Sequence, residues 1–349
     1  MQARKDFDPG APASGAEGIF GLPFDEDEAR LVYLPVPWEA TTSYGGGASK
    51  GPAAILKASA QIDLYDCDVE KPYAAGLYLR PQSPEVRQWD KQAKAAAQKV
   101  IAALSSGRRP SSQALETANA LGAKLNAWVY RQTKEIIGSG KIPALIGGDH
   151  STPYGAISAA LEQWPDLGIL HFDAHHDTRE AYEGFTWSHA SIFHNVMSRL
   201  PAPKLVSVGI RDFSESERAF CRGLGERCSV IYDNELARRR FAGRPFDQTA
   251  AEIADKLPEK VWISFDIDGL DPRFCPGTGT PVPGGLDFAE ANHIFRALVF
   301  SQRRIVGFDL NEVSAQKESE WDANVGARLL YKMTGWTLAS QGLAAAALI

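Results

Sequence analysis

The chain has 349 residues, of which 44% are hydrophobic and 23% charged, a composition typical of a soluble globular protein with one large domain or two ordinary ones. The formal net charge is −6 and no basic block occurs, so nucleic acid and anionic membranes are poor candidate partners. No apolar run approaches the roughly 18 residues that a membrane helix needs, and the N-terminus lacks the apolar core of a signal peptide. The composition therefore favours a cytoplasmic protein.

The N-terminal segment differs in composition from the rest of the chain. It is rich in Gly, Ala and Pro, and residues 1–29 are predicted to form a flexible arm. The remaining residues, 30–349, are predicted to form a single catalytic domain. The chemistry-bearing motifs described below extend from residue 148 to residue 312, so they cannot belong to separate domains.

Short apolar runs bounded by turn residues recur along the chain and predict buried strands. They are Leu31–Leu34, Ala144–Ile146, Gly168–Phe172, Leu205–Val208, Val230–Tyr232, Val261–Phe265 and Ile305–Phe308. Stretches with helical spacing lie between most of them, namely Tyr154–Gln163, Ser188–Arg199, Glu215–Leu224, Thr249–Lys256 and Asp287–Phe300. This alternation predicts an α/β fold in which a parallel, doubly wound sheet lies between two helical layers, a three-layer αβα sandwich.

The region of about 90–139 is rich in Ala, Lys and Gln, and no strand of the sheet is evident in it. Its apolar residues follow helical spacing, and the polar segment SSGRRPSSQ interrupts them. The region is therefore predicted to be a helical insertion of two helices.

Polar, metal-binding residue types follow four of the predicted strands. They are Asp149 and His150 after the second strand, Asp173, His175, His176 and Asp177 after the third, Asp266, Asp268 and Asp271 after the sixth, and Asp309 and Glu312 after the seventh. Because ligands bind at the carboxyl ends of strands in an open parallel sheet, these side chains are expected to converge. So much negative charge in one place favours a divalent metal.

Spacing divides these residues further. Alternate residues of an extended segment face the same way, so Asp173, His175 and Asp177 converge while His176 faces the other side. The carboxylates of Asp266 and Asp268 form the same kind of pair, and His150 completes a set of six ligands. Four carboxylates and two imidazoles are more ligands than one tetrahedral zinc site requires. They suit two metal ions, with manganese favoured and nickel or cobalt also compatible. Taken singly, a DxD segment is equally typical of a loop cap, and GGDHS of a turn with a helix N-cap.

In this order and at these separations, the motifs IGGDHS, FDAHHD and SFDIDGLDP resemble those of the ureohydrolases, the family of arginase and agmatinase. The segments GASKGPAAI, VGIRD, GTGTPVPGGL and GFDLNEVS extend the resemblance over roughly residues 30–335. The resemblance implies an arginase-like fold and hydrolysis of a guanidino compound by a water molecule activated between two metal ions.

Site residues also follow from the resemblance. His150, Asp173, Asp177 and Asp266 would bind one ion, and Asp173, His175, Asp266 and Asp268 the other. Asp177 would also orient the attacking water and pass its proton to the leaving amine. Glu312 would pair with the guanidinium group, and His189 would shuttle protons, although Ala190 follows it where the family usually has Gly.

Two further segments narrow the range of candidate substrates, PWEATTSYGGGAS (37–49) and DLNEVSAQKESEWDANVG (309–326). They resemble a subgroup that acts on guanidine, alkylguanidines and biguanides, some of whose members use nickel. Thr42 and Trp321 are candidates to line the substrate pocket. Arg179 would either bind a substrate carboxylate, as in formimidoylglutamases, or form a structural ion pair with Glu180, Glu183 or Asp212.

Several alternatives remain open at this point. Agmatinase, guanidinobutyrase and formimidoylglutamase are alternative activities. A structural subunit of a heteromeric ureohydrolase is an alternative of another class, although the chain retains all six ligands. The resemblance implies a homo-oligomer, trimer or hexamer, with a heteromer also compatible.

Overall fold

The structure is a computed structural model that describes residues 7–10, 18–201, 203–316 and 318–347. Its strands are β1 Leu31–Pro35, β2 Val69–Glu70, β3 Leu77–Leu79, β4 Ile142–Ile146, β5 Gly168–Phe172, β6 Lys204–Ile210, β7 Cys228–Tyr232, β8 Lys260–Asp266, β9 Arg304–Asn311 and β10 Ala345–Ala346. Its α-helices are α1 Gly51–Ser59, α2 Pro84–Ser105, α3 Ser112–Gly138, α4 Tyr154–Gln163, α5 Ile192–Arg199, α6 Glu215–Gly223, α7 Asp233–Phe241, α8 Phe246–Asp255, α9 Phe288–Phe300 and α10 Trp321–Ser340.

Eight strands form one sheet in the order β3-β1-β4-β9-β8-β5-β6-β7, and every neighbouring pair is parallel. Side chains of α1 and α7–α10 pack on one face of this sheet, and side chains of α2–α6 pack on the other. Strands β2 and β10 form a separate antiparallel pair. The predicted three-layer α/β fold is therefore confirmed.

Each of the seven predicted strands is present, and the polar region is confirmed as two helices, α2 and α3. Helix α2 begins earlier than predicted because Ser83 caps it, its side chain accepting a hydrogen bond from Val86 N, and Pro84 follows at the first helical position. Edge strand β3 and helix α10 were not predicted. Strand β3 has three residues, too few for a periodic signal, and α10 is buried on most of its circumference, so its polar residues form only a narrow row.

The predicted N-terminal arm needs correction. Residues 1–6 and 11–17 lie outside the described residues. Within the described part, however, Ile19, Phe20 and Leu22 are fully buried in the core. The ring of Phe20 lies against Tyr33 of β1 and Tyr331 of α10. Because three large apolar side chains leave water here, the packed domain includes residues well before 29.

Among the described residues, no helix combines the length and hydropathy needed to cross a membrane.

Close backbone packing fixes the loop after β4. Gly148 N donates to Val36 O at 3.0 Å, and Asp149 N donates to Trp38 O at 2.8 Å. A Cβ atom on Gly148 would lie 1.7 Å from Trp38 O, closer than any real contact. The two adjacent glycines of IGGDHS therefore allow two backbone segments to touch, and this contact positions the loop that carries His150.

Gly148→Ala is accordingly expected to destabilise the fold by at least about 3 kcal/mol, because the two backbone segments must separate. Thermal unfolding followed by circular dichroism measures the effect. Gly223→Ala in α6 is the matched control, since no heavy atom lies within 4 Å of its added Cβ. The control is expected to be neutral or stabilising by up to about 1 kcal/mol. Equal melting temperatures for the two variants would contradict this account of the loop.

Candidate metal centre

Four neighbouring strands of the sheet bring the predicted ligands together. β4, β9, β8 and β5 are adjacent in that order, and each ends at the same edge. The loop after β4 carries His150, the loop after β5 carries Asp173, His175 and Asp177, and the end of β8 carries Asp266 and Asp268. Glu312 follows β9 directly. The adjacency of these strands is therefore what makes residues 162 positions apart, such as His150 and Glu312, neighbours in space.

One group of ligand atoms is centred on His150. Its Nδ1 lies 3.1 Å from Asp173 Oδ2, 3.3 Å from Asp177 Oδ2 and 3.4 Å from Asp266 Oδ2. One ligand atom from each of these four buried residues lies within 4.8 Å of the others. Four inward-facing ligand atoms at this separation can surround a single ion.

A second group shares Asp173. His175 Nδ1 lies 3.4 Å from Asp173 Oδ1 and 3.1 Å from Asp268 Oδ2. One ligand atom from each of these three residues lies within 4.8 Å of the other two. Asp266 adjoins this group through its Oδ1, which accepts a hydrogen bond from Asp268 N at 2.9 Å. The two oxygens of Asp173 thus face different groups, as expected of a carboxylate between two ions.

The surroundings of the His150 ring favour Nδ1 as a metal ligand. On the other side of the ring, Nε2 lies 3.0 Å from Ser264 Oγ, and that hydroxyl donates to Asp309 Oδ1 at 2.7 Å. Because the Ser264 hydroxyl donates its proton to Asp309, its oxygen accepts a hydrogen bond from Nε2–H of His150. The lone pair of the ring is then on Nδ1, which faces the carboxylates. Asp309 itself accepts from Trp262 Nε1 at 2.5 Å.

The electrostatics of the cluster favour a bound cation. Burial alone would lower the pKa of His150, but its hydrogen bonds to Asp173, Asp177 and Asp266 raise it well above its usual value. Burial also opposes the charge on His175, yet the negative charge of Asp268 and the hydrogen bond to Asp173 raise the pKa of His175 to about 12. Without metal, the negative charges of the cluster thus favour protonated imidazoles. Divalent ions bound to the imidazole nitrogens would replace those protons and neutralise the same negative charge.

The two remaining histidines of this region differ from each other. His176 faces away from the cluster, as alternation predicts: its Nδ1 lies 3.5 Å from Cys221 Sγ and its Nε2 lies 3.4 Å from the hydroxyl of Tyr232. His171 is fully buried, with its Nε2 2.8 Å from Asp173 Oδ2. Its position inside β5, two residues before Asp173, places it on the same side of the strand.

A cavity of about 250 Å³ opens above these ligands. It is lined by Thr42, Ser43, Tyr44, His175, Asp177, Arg179, Tyr182, His189, Ala190, Asp212, Phe213, Glu217, Asp266, Asp268, Gly279, Thr280 and Glu312. Predicted substrate-site residues Thr42, Arg179, His189 and Glu312 therefore share one cavity. In the described part of the chain, the Thr42 hydroxyl and His189 Nδ1 are buried without a hydrogen-bond partner.

Trp321 is not part of the cavity lining, so its predicted place in the substrate pocket is wrong. It is the first residue of α10, and its indole Nε1 donates to Arg273 O at 3.0 Å on the protein surface. About half of its surface, 48%, is exposed to solvent. Helix α10 therefore begins outside the cavity, a placement that a sequence pattern does not reveal.

Arg179 has an ion-pair partner different from those predicted. Its Nε lies 3.5 Å from Glu217 Oε2, and its guanidinium group packs over the ring of Tyr182 at 4.9 Å. Glu217 is buried because it caps α6, accepting from Ser214 N at 2.9 Å, and it also accepts from Thr178 N. This capping carboxylate, missed at the sequence level, ties the segment after Asp177 to α6. The signal that marks it is the capping box S-x-x-E at 214–217.

Two site residues adopt a left-handed backbone conformation, Asp177 with φ of 53° and Glu312 with φ of 61°. Non-glycine residues adopt this conformation rarely and at some energetic cost. Backbone contacts support both, since Phe193 N donates to Asp177 O at 2.9 Å and Glu312 N donates to Gly148 O at 2.8 Å. The sharp turn after each strand directs its carboxylate into the cavity.

Comparison with known proteins agrees with this geometry. Residues 29–335 match the model of the arginase family. The N(1)-aminopropylagmatine ureohydrolase of a Thermus thermophilus strain is 30% identical over 310 residues, covering 88% of this chain and 90% of that protein. The corresponding enzyme of Synechocystis is 28% identical over 318 residues, covering 90% and 91%.

Solved structures share the fold. Proclavaminate amidino hydrolase from Streptomyces clavuligerus superposes with a TM-score of 0.72 at 24% identity, covering 95% of this chain and 99% of that one. Agmatine ureohydrolase of Thermoplasma volcanium gives a TM-score of 0.67 at 23% identity, covering 90% and 92%. With the family match extending over most of the residues between β1 and α10, the chain belongs to the arginase family and is a ureohydrolase, a hydrolase of C–N bonds in guanidino compounds.

Proposed function

We propose that this ureohydrolase acts on a small guanidino compound, namely guanidine, an alkylguanidine or a biguanide, and releases urea or a substituted urea together with ammonia or an amine. The observation that carries the proposal is that four of the six ligands line one cavity of about 250 Å³ together with Glu312, while the other two, His150 and Asp173, are buried beside them. The ligands account for hydrolysis, and the cavity carboxylate accounts for recognition of a cation.

The metal centre would contain two divalent ions, nickel or manganese. His150, Asp173, Asp177 and Asp266 would hold one, and Asp173, His175, Asp266 and Asp268 the other. When bound, such a pair of ions lowers the pKa of water towards neutrality and supplies the nucleophile. The mixture of carboxylate oxygens and imidazole nitrogens is compatible with either metal.

The protein groups around the centre would orient the reactants and move protons. Glu312 would accept hydrogen bonds from the guanidinium group and hold its planar carbon beside the metal centre. Asp177 would take the proton of the attacking water and deliver it to the departing nitrogen, so that the leaving group departs as a neutral amine or ammonia. Burial and the negative charge of Asp173 raise the pKa of the Asp177 carboxyl to about 7 when no metal is bound.

His189 would relay protons between this site and solvent. It lines the cavity on the turn before α5, with its ring edge towards Tyr182. Burial, with the charges on His175 and His150, lowers the pKa of His189 to about 4, so the ring is neutral at pH 7.

Longer cationic substrates are the main competing candidates. The names of several relatives, agmatinase and N(1)-aminopropylagmatine ureohydrolase, indicate substrates that carry a second amine. Here Arg179 places a positive charge on the cavity wall, and a distal ammonium group would approach it. This repulsion favours guanidine and alkylguanidines whose substituent carries no charge over agmatine, and it would also favour a distal carboxylate, as in guanidinobutyrate or formimidoylglutamate.

Arg179→Gln is therefore expected to raise kcat/KM for agmatine relative to guanidine by about 5- to 10-fold, because the partly exposed charge is removed. Steady-state urea release with both substrates measures the ratio. The matched control is Arg199→Gln, since Arg199 also packs over an aromatic ring, Trp187, but does not line the cavity. An unchanged ratio would remove Arg179 from substrate selection.

A substrate screen tests the function itself. Purified protein loaded with Mn²⁺ or Ni²⁺ would be assayed for urea and ammonia release from guanidine, methylguanidines, metformin, agmatine, guanidinobutyrate and arginine, and for formamide release from formimidoylglutamate. The expected result is the highest kcat/KM with a small guanidino compound, lost on chelation and restored by metal. A preference for agmatine or guanidinobutyrate would establish the alternative activity.

Metal-loaded protein that hydrolyses none of these compounds would support a structural subunit instead. The proposed assembly is a homotrimer or homohexamer, and light scattering of the purified chain measures it. A chain that becomes active only after a second subunit type is added would establish the heteromer.

A further inference from the structure

The outer side of the cavity is formed by a glycine-rich loop, residues 41–47. Tyr44 lies at its tip and lines the cavity, yet 76% of its surface is exposed to solvent. Single exposed aromatic side chains are common on protein surfaces, but this one lies at the entrance to the cavity proposed to bind a planar cation. Its position makes its ring a candidate to contact that ligand.

Three aromatic rings line this cavity, and two of them are already engaged. The ring of Tyr182 packs against the guanidinium group of Arg179, and Phe213 packs against His176 and Tyr232. In the part of the chain that the structure describes, the ring of Tyr44 makes no aromatic pair and no cation–π contact. It is therefore the one aromatic face of the described cavity lining that is available to a cation.

The loop is anchored on its C-terminal side by hydrogen bonds to two other segments. Gly47 N donates to Glu39 Oε2 at 2.6 Å, and the other oxygen of Glu39 pairs with Lys94 of α2. Ser314 Oγ donates to Gly46 O at 2.8 Å, which links the loop to the segment that follows Glu312. The anchors hold the base of the loop beside the residue that would bind the guanidinium group.

Glycines supply the conformations at the bend. Gly45, Gly46 and Gly47 have φ angles of 72°, 125° and 108°, which side chains rarely adopt. A Cβ atom on Gly45 would lie 2.8 Å from Gly279 Cα on the facing loop, whereas none lies near Gly46. The three residues that follow Tyr44 therefore have no side chains that would hinder rotation of its ring towards the cavity.

We propose that Tyr44 is a specificity-determining residue, whose ring covers the guanidinium group of the substrate from the solvent side. The inference rests on the function proposed above. Glu312 would bind the guanidinium group through its N–H edge, which leaves the flat face of the cation for the ring of Tyr44. The electron-rich ring face attracts such a cation, and covering a delocalised guanidinium requires little desolvation.

Substrate size follows from this arrangement. A guanidinium group with small substituents fits beneath the ring, whereas a long alkyl chain must pass the ring to reach solvent. Truncation of Tyr44 is therefore expected to weaken the binding of small substrates more than that of long ones. A residue that only supports the fold would affect both kinds of substrate equally.

The test compares Tyr44→Phe, Tyr44→Leu and Tyr44→Ala with wild type, each loaded with metal. Tyr44→Phe keeps the ring face, and its KM for the best small substrate is expected within about 2-fold of wild type. Tyr44→Ala is expected to raise that KM by about 3- to 30-fold with kcat little changed, and Tyr44→Leu to fall nearer Ala than Phe. The KM for agmatine is expected to change less. Tyr65→Ala is the matched control, since Tyr65 is 81% exposed and lies outside the cavity.

Binding separates this inference from the proposed function. Calorimetric titration with millimolar guanidinium chloride measures affinity without turnover, and the same order of variants is expected. If wild type hydrolyses guanidino compounds but Tyr44→Ala or Tyr44→Leu keeps the wild-type KM and affinity, the role of Tyr44 is overturned while the function stands. If wild type neither hydrolyses guanidino compounds nor binds guanidinium, both are overturned.

Discussion

Asp173→Asn is expected to remove bound metal and to lower kcat/KM for urea release by at least about 1000-fold. Asp173 is the shared residue of both ligand groups, with Oδ2 3.1 Å from His150 Nδ1 and Oδ1 3.4 Å from His175 Nδ1. An amide supplies one neutral oxygen in place of two charged ones, so neither ion is held. Loss of a metal centre removes several kcal/mol of transition-state stabilisation, on the order of 10³-fold or more in rate.

The measurements are metal content by elemental mass spectrometry and urea release at saturating and limiting substrate. Because Asp173 is fully buried and also contacts His171, thermal unfolding must accompany them to separate loss of metal from loss of fold. Asp271→Asn is the matched control. It changes an Asp of the same DIDGLDP segment that caps the turn at Arg273 N and does not line the cavity. Full activity in a metal-free Asp173→Asn protein would overturn the two-metal mechanism.

The parts of the site that sequence predicted best are those attached to the sheet. Strands such as Gly168–Phe172 are buried throughout and mostly apolar because both faces are covered, so their ends are conspicuous when Asp or His follows. Alternation in extended chain then separates His175 from His176, and the structure places His176 against Tyr232. These inferences need only the local chain and the rule that parallel strands share one functional edge.

The parts that sequence did not predict depend on contacts between distant segments. Arg179 was matched with nearby acids, but its partner is Glu217, which is available only because α6 packs beside the loop after β5. Trp321 was placed in the pocket because its segment resembles that of the small-guanidine subgroup and an aromatic ring suits a cationic substrate, yet α10 begins outside the cavity. Tyr44 received no role, because nothing in its own segment shows that the loop overhangs the cavity.

Buried hydrogen bonds between distant residues could not be predicted from the sequence for a related reason. Asp309 resembles a further ligand at the end of β9, but it lies within the strand and accepts hydrogen bonds from Trp262 and Ser264. Its effect on the metal centre is exerted through the ring of His150. Sequence patterns identify residue types that suit a site, whereas strand boundaries and neighbouring side chains decide which of them touch the ligand and which orient those that do.

Glu312→Gln is expected to leave metal content unchanged and to lower kcat/KM for the guanidino substrate by roughly 10- to 100-fold, the worth of a hydrogen bond to a charged group. The substitution is isosteric, and the Gln side-chain oxygen can still accept the hydrogen bond that Glu312 Oε1 receives from His150 N at 2.9 Å. The left-handed backbone at this position is equally strained in both proteins. Only the charge differs, so the loss reports on recognition of the cation.

The electrostatic setting makes this charge sensitive to its ligand. Burial, reinforced by the negative charge of Asp149, raises the pKa of the Glu312 carboxyl well above its usual value. A guanidinium cation opposes that shift and stabilises the ionised form, so substrate binding and deprotonation of Glu312 favour each other. Glu320→Gln is the matched control, because Glu320 is an exposed carboxylate of the following segment that pairs with Lys57. If Glu312→Gln retained the wild-type kcat and KM, the guanidinium group would have to be recognised by another group of the cavity.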